Sequence, residues 1–192
     1  MTVALGQRGC NDCNGCGGSF CVIEKQTGSD PIFVAGGAAA NIGRADLNYR
    51  KASLNQTGNG NDQIGSSGFQ SCFQNVQKNV YCAGAGFHEG PKVGVLMKDS
   101  VPPQNYAQGL KGGKGKDSGG GLMIGGFGGG GTEYYKNGYY YWGAGGGFTG
   151  GSTKVQGNDC VGGGGGSFSI DKNAKFDHVI VGYGQCKIEY AN

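Results

Sequence analysis

The sequence predicts an all-β protein that carries a glycine-rich insertion. Three observations lead there. No segment sustains a 3.6-residue apolar repeat, so no helix would have a stripe to bury. Short apolar runs bounded by Asn, Gly, Ser and Gln recur along the chain, as strands separated by turns do. Glycine supplies 45 of the 192 residues, more than three times its ordinary share. Ten Tyr, nine Phe and one Trp beside only 15% charged residues argue against a disordered chain.

The elements follow in order. Residues 1–24 are Cys-rich and end in SFCVIE, which reads as a short strand. Residues 25–108 carry strand-like runs, notably PIFVA (31–35), VQKNVYC (76–82) and KVGVLMK (92–98). DSVPPQNYAQG, with Pro102 and Pro103, marks a boundary. Residues 109–166 are the glycine section. Within it EYYKNGYYYW sets Asn137-Gly138 between aromatic runs, a hairpin signal because both turn positions must tolerate positive φ. Residues 167–192 close the chain with two strands, SFSIDKNAKFDHVIVGY and QCKIEY. In CKIEY, Cys186, Ile188 and Tyr190 fall on one face and Lys187 and Glu189 on the other.

The stretch GGGLMIGGFGGGG (119–131) holds nine glycines and four large apolar residues, where a flexible tether would use polar ones. Glycine disfavours α-helix but suits extended left-handed helices of the polyproline-II type, with three residues per turn and no internal hydrogen bonds. Such helices pack closely where facing residues lack a Cβ, and bond to one another through the backbone. A bundle of short segments of this kind is expected. Leu122, Met123, Ile124 and Phe127 would meet the sandwich or the bundle's ends, and Gly126→Val would disrupt folding.

Little in the chain points to catalysis or to nucleotides. GLKGGKGKDS fits no frame of the phosphate-binding loop, and Gly145-Gly146-Gly147-Phe148-Thr149-Gly150 matches G-x-G-x-x-G as any glycine-rich segment would. The two histidines are His88 and His178, and His178 reads as a strand residue in FDHVIVGY. No Ser, Cys or paired carboxylate stands beside a positioned base, so the expectation is a non-enzyme without cofactor. Thirteen Lys against three Arg, and the single cluster Lys111, Lys114 and Lys116, fit a solvated surface better than a nucleic-acid partner. No run approaches the 18 or so apolar residues of a membrane span.

Eight cysteines (Cys10, Cys13, Cys16, Cys21, Cys72, Cys82, Cys160 and Cys186) suggest an oxidising compartment and four disulfides stapling the fold. Cys72 with Cys82, and Cys160 with Cys186, are candidate pairs. C-x-x-C-x-x-C at Cys10, Cys13 and Cys16, followed by Cys21, also resembles metal-ligand spacing, which is the alternative. The sequon Asn55-Gln56-Thr57 is a glycosylation candidate and leans towards an extracellular location. The start, MTVALGQRGC, has no hydrophobic signal core, so secretion requires a leader removed or replaced. The aromatic block Tyr134, Tyr135, Tyr139, Tyr140, Tyr141 and Trp142 reads either as a cap on the glycine bundle or as a contact surface.

Several stretches together resemble one family. GGSFCVIEKQTGSDPIFVAGGAAANIG, then GGFGGGG, WGAGGGFTGG and VGGGGGSFSI, then GYGQCKIEY, are similar in content and order to the glycine-rich extracellular domain of the anaplastic lymphoma kinase and leukocyte tyrosine kinase receptors. The domain also occurs in many protist and invertebrate surface proteins. The likeness spans about residues 17–190. It implies a jelly-roll-like sandwich, similar to tumour-necrosis-factor folds, with a glycine-helix bundle inserted; in the receptors this region binds a protein ligand. The chain departs from the family in lacking a kinase and a membrane span, in its shorter middle glycine run, and in its own Cys-rich start and tyrosine block. The expected function is a non-catalytic extracellular module that assembles with copies of itself or a surface or matrix protein. The alternative is a ligand-binding ectodomain fragment or an adhesin for a protein or glycan.

Overall fold

Phe20, Val22 and Val34, each at most 2% exposed, anchor the first sheet of the fold. They lie on two strands whose apolar residues must be covered, and burial of each side chain contributes about 1.5–3 kcal/mol. In the computed structural model, residues 1–40, 47–60, 64–68, 82–91, 101–116, 120–136, 139–157 and 159–176 are described. Over these the chain is mostly strands with almost no helix, an all-β arrangement of several sheets.

The first sheet has the order β1 (Thr2–Ala4), β2 (Ser19–Lys25), β3 (Gly28–Ala35) and β10 (Phe168–Ser169), all antiparallel. SFCVIE and PIFVA thus form strands as their composition predicts. They are joined tightly, with Lys25 opposite Gly28, and Gly28 takes the positive φ of 145° that a side chain resists. A register shift between Cys21 and Val22 lets Phe20, Cys21 and Val22 all be buried. The inner residues pack with Phe87, Leu110 and Phe148, and Phe148 stacks on Phe168 at 4.4 Å and on Phe87 at 6.1 Å.

A second sheet pairs β4 (Lys114–Lys116) with β5 (Leu122–Ile124). The third has the order β6 (Tyr134–Lys136), β7 (Tyr139–Tyr141), β9 (Asp159–Gly162) and β8 (Thr153–Gln156), with β7 and β9 parallel. Lys136 opposite Tyr139 gives the two-residue connection that Asn137-Gly138 predicts. A single turn of helix, α1 (Leu47–Arg50), completes the regular elements among the described residues. VQKNVYC up to Tyr81, KVGVLMK, His178 and the closing strands from Asp177 onward lie outside the described residues.

Between the sheets runs a hydrogen-bonded mesh of glycine segments, and its bonds repeat every three residues. The amides of Gly143 and Gly146 donate to the carbonyls of Cys13 and Cys16, at 3.1 and 2.9 Å. Those of Ala144 and Gly147 donate to Cys82 and Ala85, and those of Gly145 and Phe148 to Gly163 and Gly166. In return Gly143 and Gly146 accept from Ala40 and Gly37, which run the opposite way. Successive amides therefore face three different neighbours, whereas a β-ladder alternates with period two.

Close approach is the reason for glycine here. Gly145 and its neighbours have no positive φ, yet a Cβ on Gly145 would stand 1.9 Å from the carbonyl oxygen of Gly37. The mesh draws on residues 13–18, 36–40 and 82–86 as well as on the glycine section itself, so it is wider than residues 109–166. One part of the run 119–131 differs from expectation. Leu122, Met123 and Ile124 form β5 against the lysines of β4, and Leu122 is 59% exposed instead of filling the interior. Phe127 does pack against the main core.

Candidate functional site

The third sheet divides the aromatic block by strand alternation. Tyr134 and Tyr141 sit opposite one another in register with ring centroids 5.9 Å apart, and Tyr141 is buried against Cys82 and Cys160. Tyr141 therefore packs into the core. Tyr140 and Trp142 point to the other face and stack at 5.0 Å, nearly parallel, with Tyr140 40% exposed. The side chains of Tyr135 and Tyr139 lie outside the described ones. Asp159 of β9 fixes this strand by accepting the Tyr140 amide at 3.3 Å. Lys154 of β8 lays its ammonium 3.8 Å over the ring of Tyr49, a cation–π contact. Asp159 beside Tyr140, and Lys154 over Tyr49, carry no signal in the sequence, because only folding brings each pair together.

The Cys-rich start is a turn docked on the mesh. Asn11 Oδ1 accepts the Cys13 amide at 3.0 Å, a local bond that asparagine favours, and Asn14 Oδ1 accepts the Glu133 amide at 2.8 Å. Cys10 runs beside β5: its amide donates to the Ile124 carbonyl, and its sulfur accepts the Ile124 amide at 3.2 Å. Cys10, Cys13, Cys16, Cys21 and Cys82 are not disulfide-bonded in this structure, so Cys82 is not paired with Cys72 there. The physical reason at Cys82 is its placement, fully buried with the thiol directed at the Tyr141 carbonyl. Cys160 carries no free thiol. Cys72 and Cys186 lie outside the described residues. Among the described residues no group of three or more His, Cys, Asp or Glu is placed to hold a metal ion, which leaves the C-x-x-C-x-x-C alternative without a site there.

Burial, and second the carboxylate of Glu133, push the Cys13 thiol up to about 12. Burial also raises Cys16 and Cys82, and takes Tyr49 up to about 12. Each of these acids is held protonated more firmly in the fold than in the unfolded chain, so its contribution to stability is full below its unfolded value, about 8.5 for the thiols, and is lost as pH rises from there through the raised value. Urea midpoints are therefore expected to be level up to about pH 8.5 and to fall beyond it. A midpoint unchanged at pH 10.5 would contradict this placement of the thiols.

The remaining sequence candidates are structural or exposed. The G-x-G-x-x-G match at 145–150 is buried, and the amides of Gly145, Gly146, Gly147 and Phe148 are all spent on neighbouring carbonyls, leaving none of these four for a phosphate. Lys114 and Lys116 project from one face of β4 and Lys111 is exposed nearby. His88 is exposed and meets Phe87 and Phe148 edge-on. Asn55 is exposed. No described helix is long and apolar enough to cross a membrane. Neither a protein-family model nor a curated protein matches the sequence.

Proposed function

We propose that the chain is a non-catalytic extracellular structural module, a scaffold subunit that assembles with copies of itself or binds a surface or matrix protein. The glycine segments are read as polyproline-II-type helices inserted in a jelly-roll-like sandwich, in keeping with the resemblance to the receptor-type glycine-rich domain. The observation that carries the reading is the period-three bonding of residues 143–148. Three residues per turn with all bonds made to neighbours is the signature of such helices, and a core made this way holds an outer surface rigidly. The surface it holds includes the Tyr140–Trp142 stack, of the residue types that concentrate binding energy.

Light scattering and electron microscopy over a wide concentration range test the reading. Oligomers are expected, and Tyr140→Ala with Trp142→Ala is expected to weaken them by about tenfold or more. Monomers at every concentration would remove self-assembly. The same stack favours a second reading, a ligand-binding ectodomain or adhesin, if the paired variant instead loses a defined protein or glycan partner.

A further inference from the structure

We propose that Asn55 is an N-glycosylation site, a modification that rests on the extracellular reading above. Asn55-Gln56-Thr57 is the one Asn-x-Ser/Thr sequence in the chain. The surroundings bear on whether it can be used. Leu54, Asn55 and Gln56 are exposed, and among the described residues the side-chain amide of Asn55 makes no hydrogen bond. The main chain beneath it is clamped: Ser53 donates to the Gly165 carbonyl at 2.8 Å, the Ser167 amide donates to Asn55 O at 2.7 Å, and Asn59 donates to Gly164 at 2.8 Å. The backbone faces the glycine mesh, where the Gln56 carbonyl lies close to Gly166, while the Asn55 side chain is left to solvent. A glycan there displaces no side-chain hydrogen bond of Asn55 among the described residues.

By contrast, Asn14 is 2% exposed and spends both ends of its amide on Asn11, Cys10 and Glu133. Asn59 donates to the carbonyls of Asn48, Tyr49 and Lys51. Those asparagines build the fold, and Asn55 does not. The donor is a lipid-pyrophosphate-linked oligosaccharide. Asn55 Nδ2 forms a bond to the sugar C1 as the C1–O bond to pyrophosphate breaks. The lipid pyrophosphate leaves with that electron pair, the amide releases one proton, and nothing is oxidised or reduced.

The test places the full chain behind a cleavable leader, translates it with microsomes, and reads only the protease-protected lumenal product. A shift of one glycan is expected, removed by an amidase that cleaves N-glycans and leaves Asp at position 55. The shift is expected to vanish in both Asn55→Gln and Thr57→Ala, whose circular dichroism matches the parent. A lumenal product without the shift overturns the site, and so does a shift that persists in Asn55→Gln. Export of the natural chain is measured separately, so failure of the extracellular reading does not look like failure of the site.

Discussion

Gly145→Ala is expected to abolish cooperative folding. The added methyl would lie 1.9 Å from the Gly37 oxygen and 2.7 Å from its carbon, and both are backbone atoms that no rotamer change can move. Gly37 is itself bonded on either side, donating to Gly146 and accepting from Gly165, so relief at one contact breaks others. Overpacking of side chains costs about 1–3 kcal/mol, and a clash that parts two bonded segments exceeds that, in a domain whose whole stability is of order 5–15 kcal/mol. Gly126→Val is expected to fail for the same reason, with the new Cβ 1.8 Å from the Gln7 oxygen. Gly115→Ala is the control: its nearest neighbour would be Thr132 Oγ1 at 3.6 Å, an ordinary contact, and a change within about 0.5 kcal/mol is expected. Thermal unfolding followed by circular dichroism separates them. A Gly145→Ala chain that melts like its parent would mean that the mesh is loosely packed.

Phe148→Ala is expected to cost about 3–5 kcal/mol, the range for a large aromatic removed from a core. Phe148 is 6% exposed and stands where the two kinds of core meet. Its ring stacks on Phe168 and Phe87, while its amide and carbonyl bond to Gly166 and Phe87 within the mesh. The ring is lost in the variant and the backbone bonds can remain, so a lower but still cooperative transition is expected in urea. Loss below about 1 kcal/mol would show that the aromatic cluster and the mesh are energetically independent.

What the sequence discloses depends on whether a side chain carries the information. SFCVIE, PIFVA and the hairpin around Asn137-Gly138 are legible because apolar runs and a turn dipeptide encode them. The split of the tyrosine block is legible only once the strand phase is known, since Tyr140 and Tyr141 are chemically alike. The membership of CNGCGG, GGAAA and CAGAG in the mesh is not legible. Their bonds are made by amides and carbonyls that every residue owns, and buried Ala40, Ala85 and Ala144 show that a methyl is admitted at some of these positions. The cysteines are a mixed guide. An even count of eight speaks of disulfides and Cys160 carries no free thiol, while five others stand unbridged on segments already held by the backbone.

A core assembled from peptide groups also has a thermal signature. Unfolding it exposes amides more than hydrocarbon, and polar exposure lowers the heat-capacity change that apolar exposure raises. For its length the chain is therefore expected to unfold with a heat-capacity change below the usual 12–15 cal/mol/K per residue, roughly. Its stability would then vary little between a cold and a warm environment. Scanning calorimetry measures it directly.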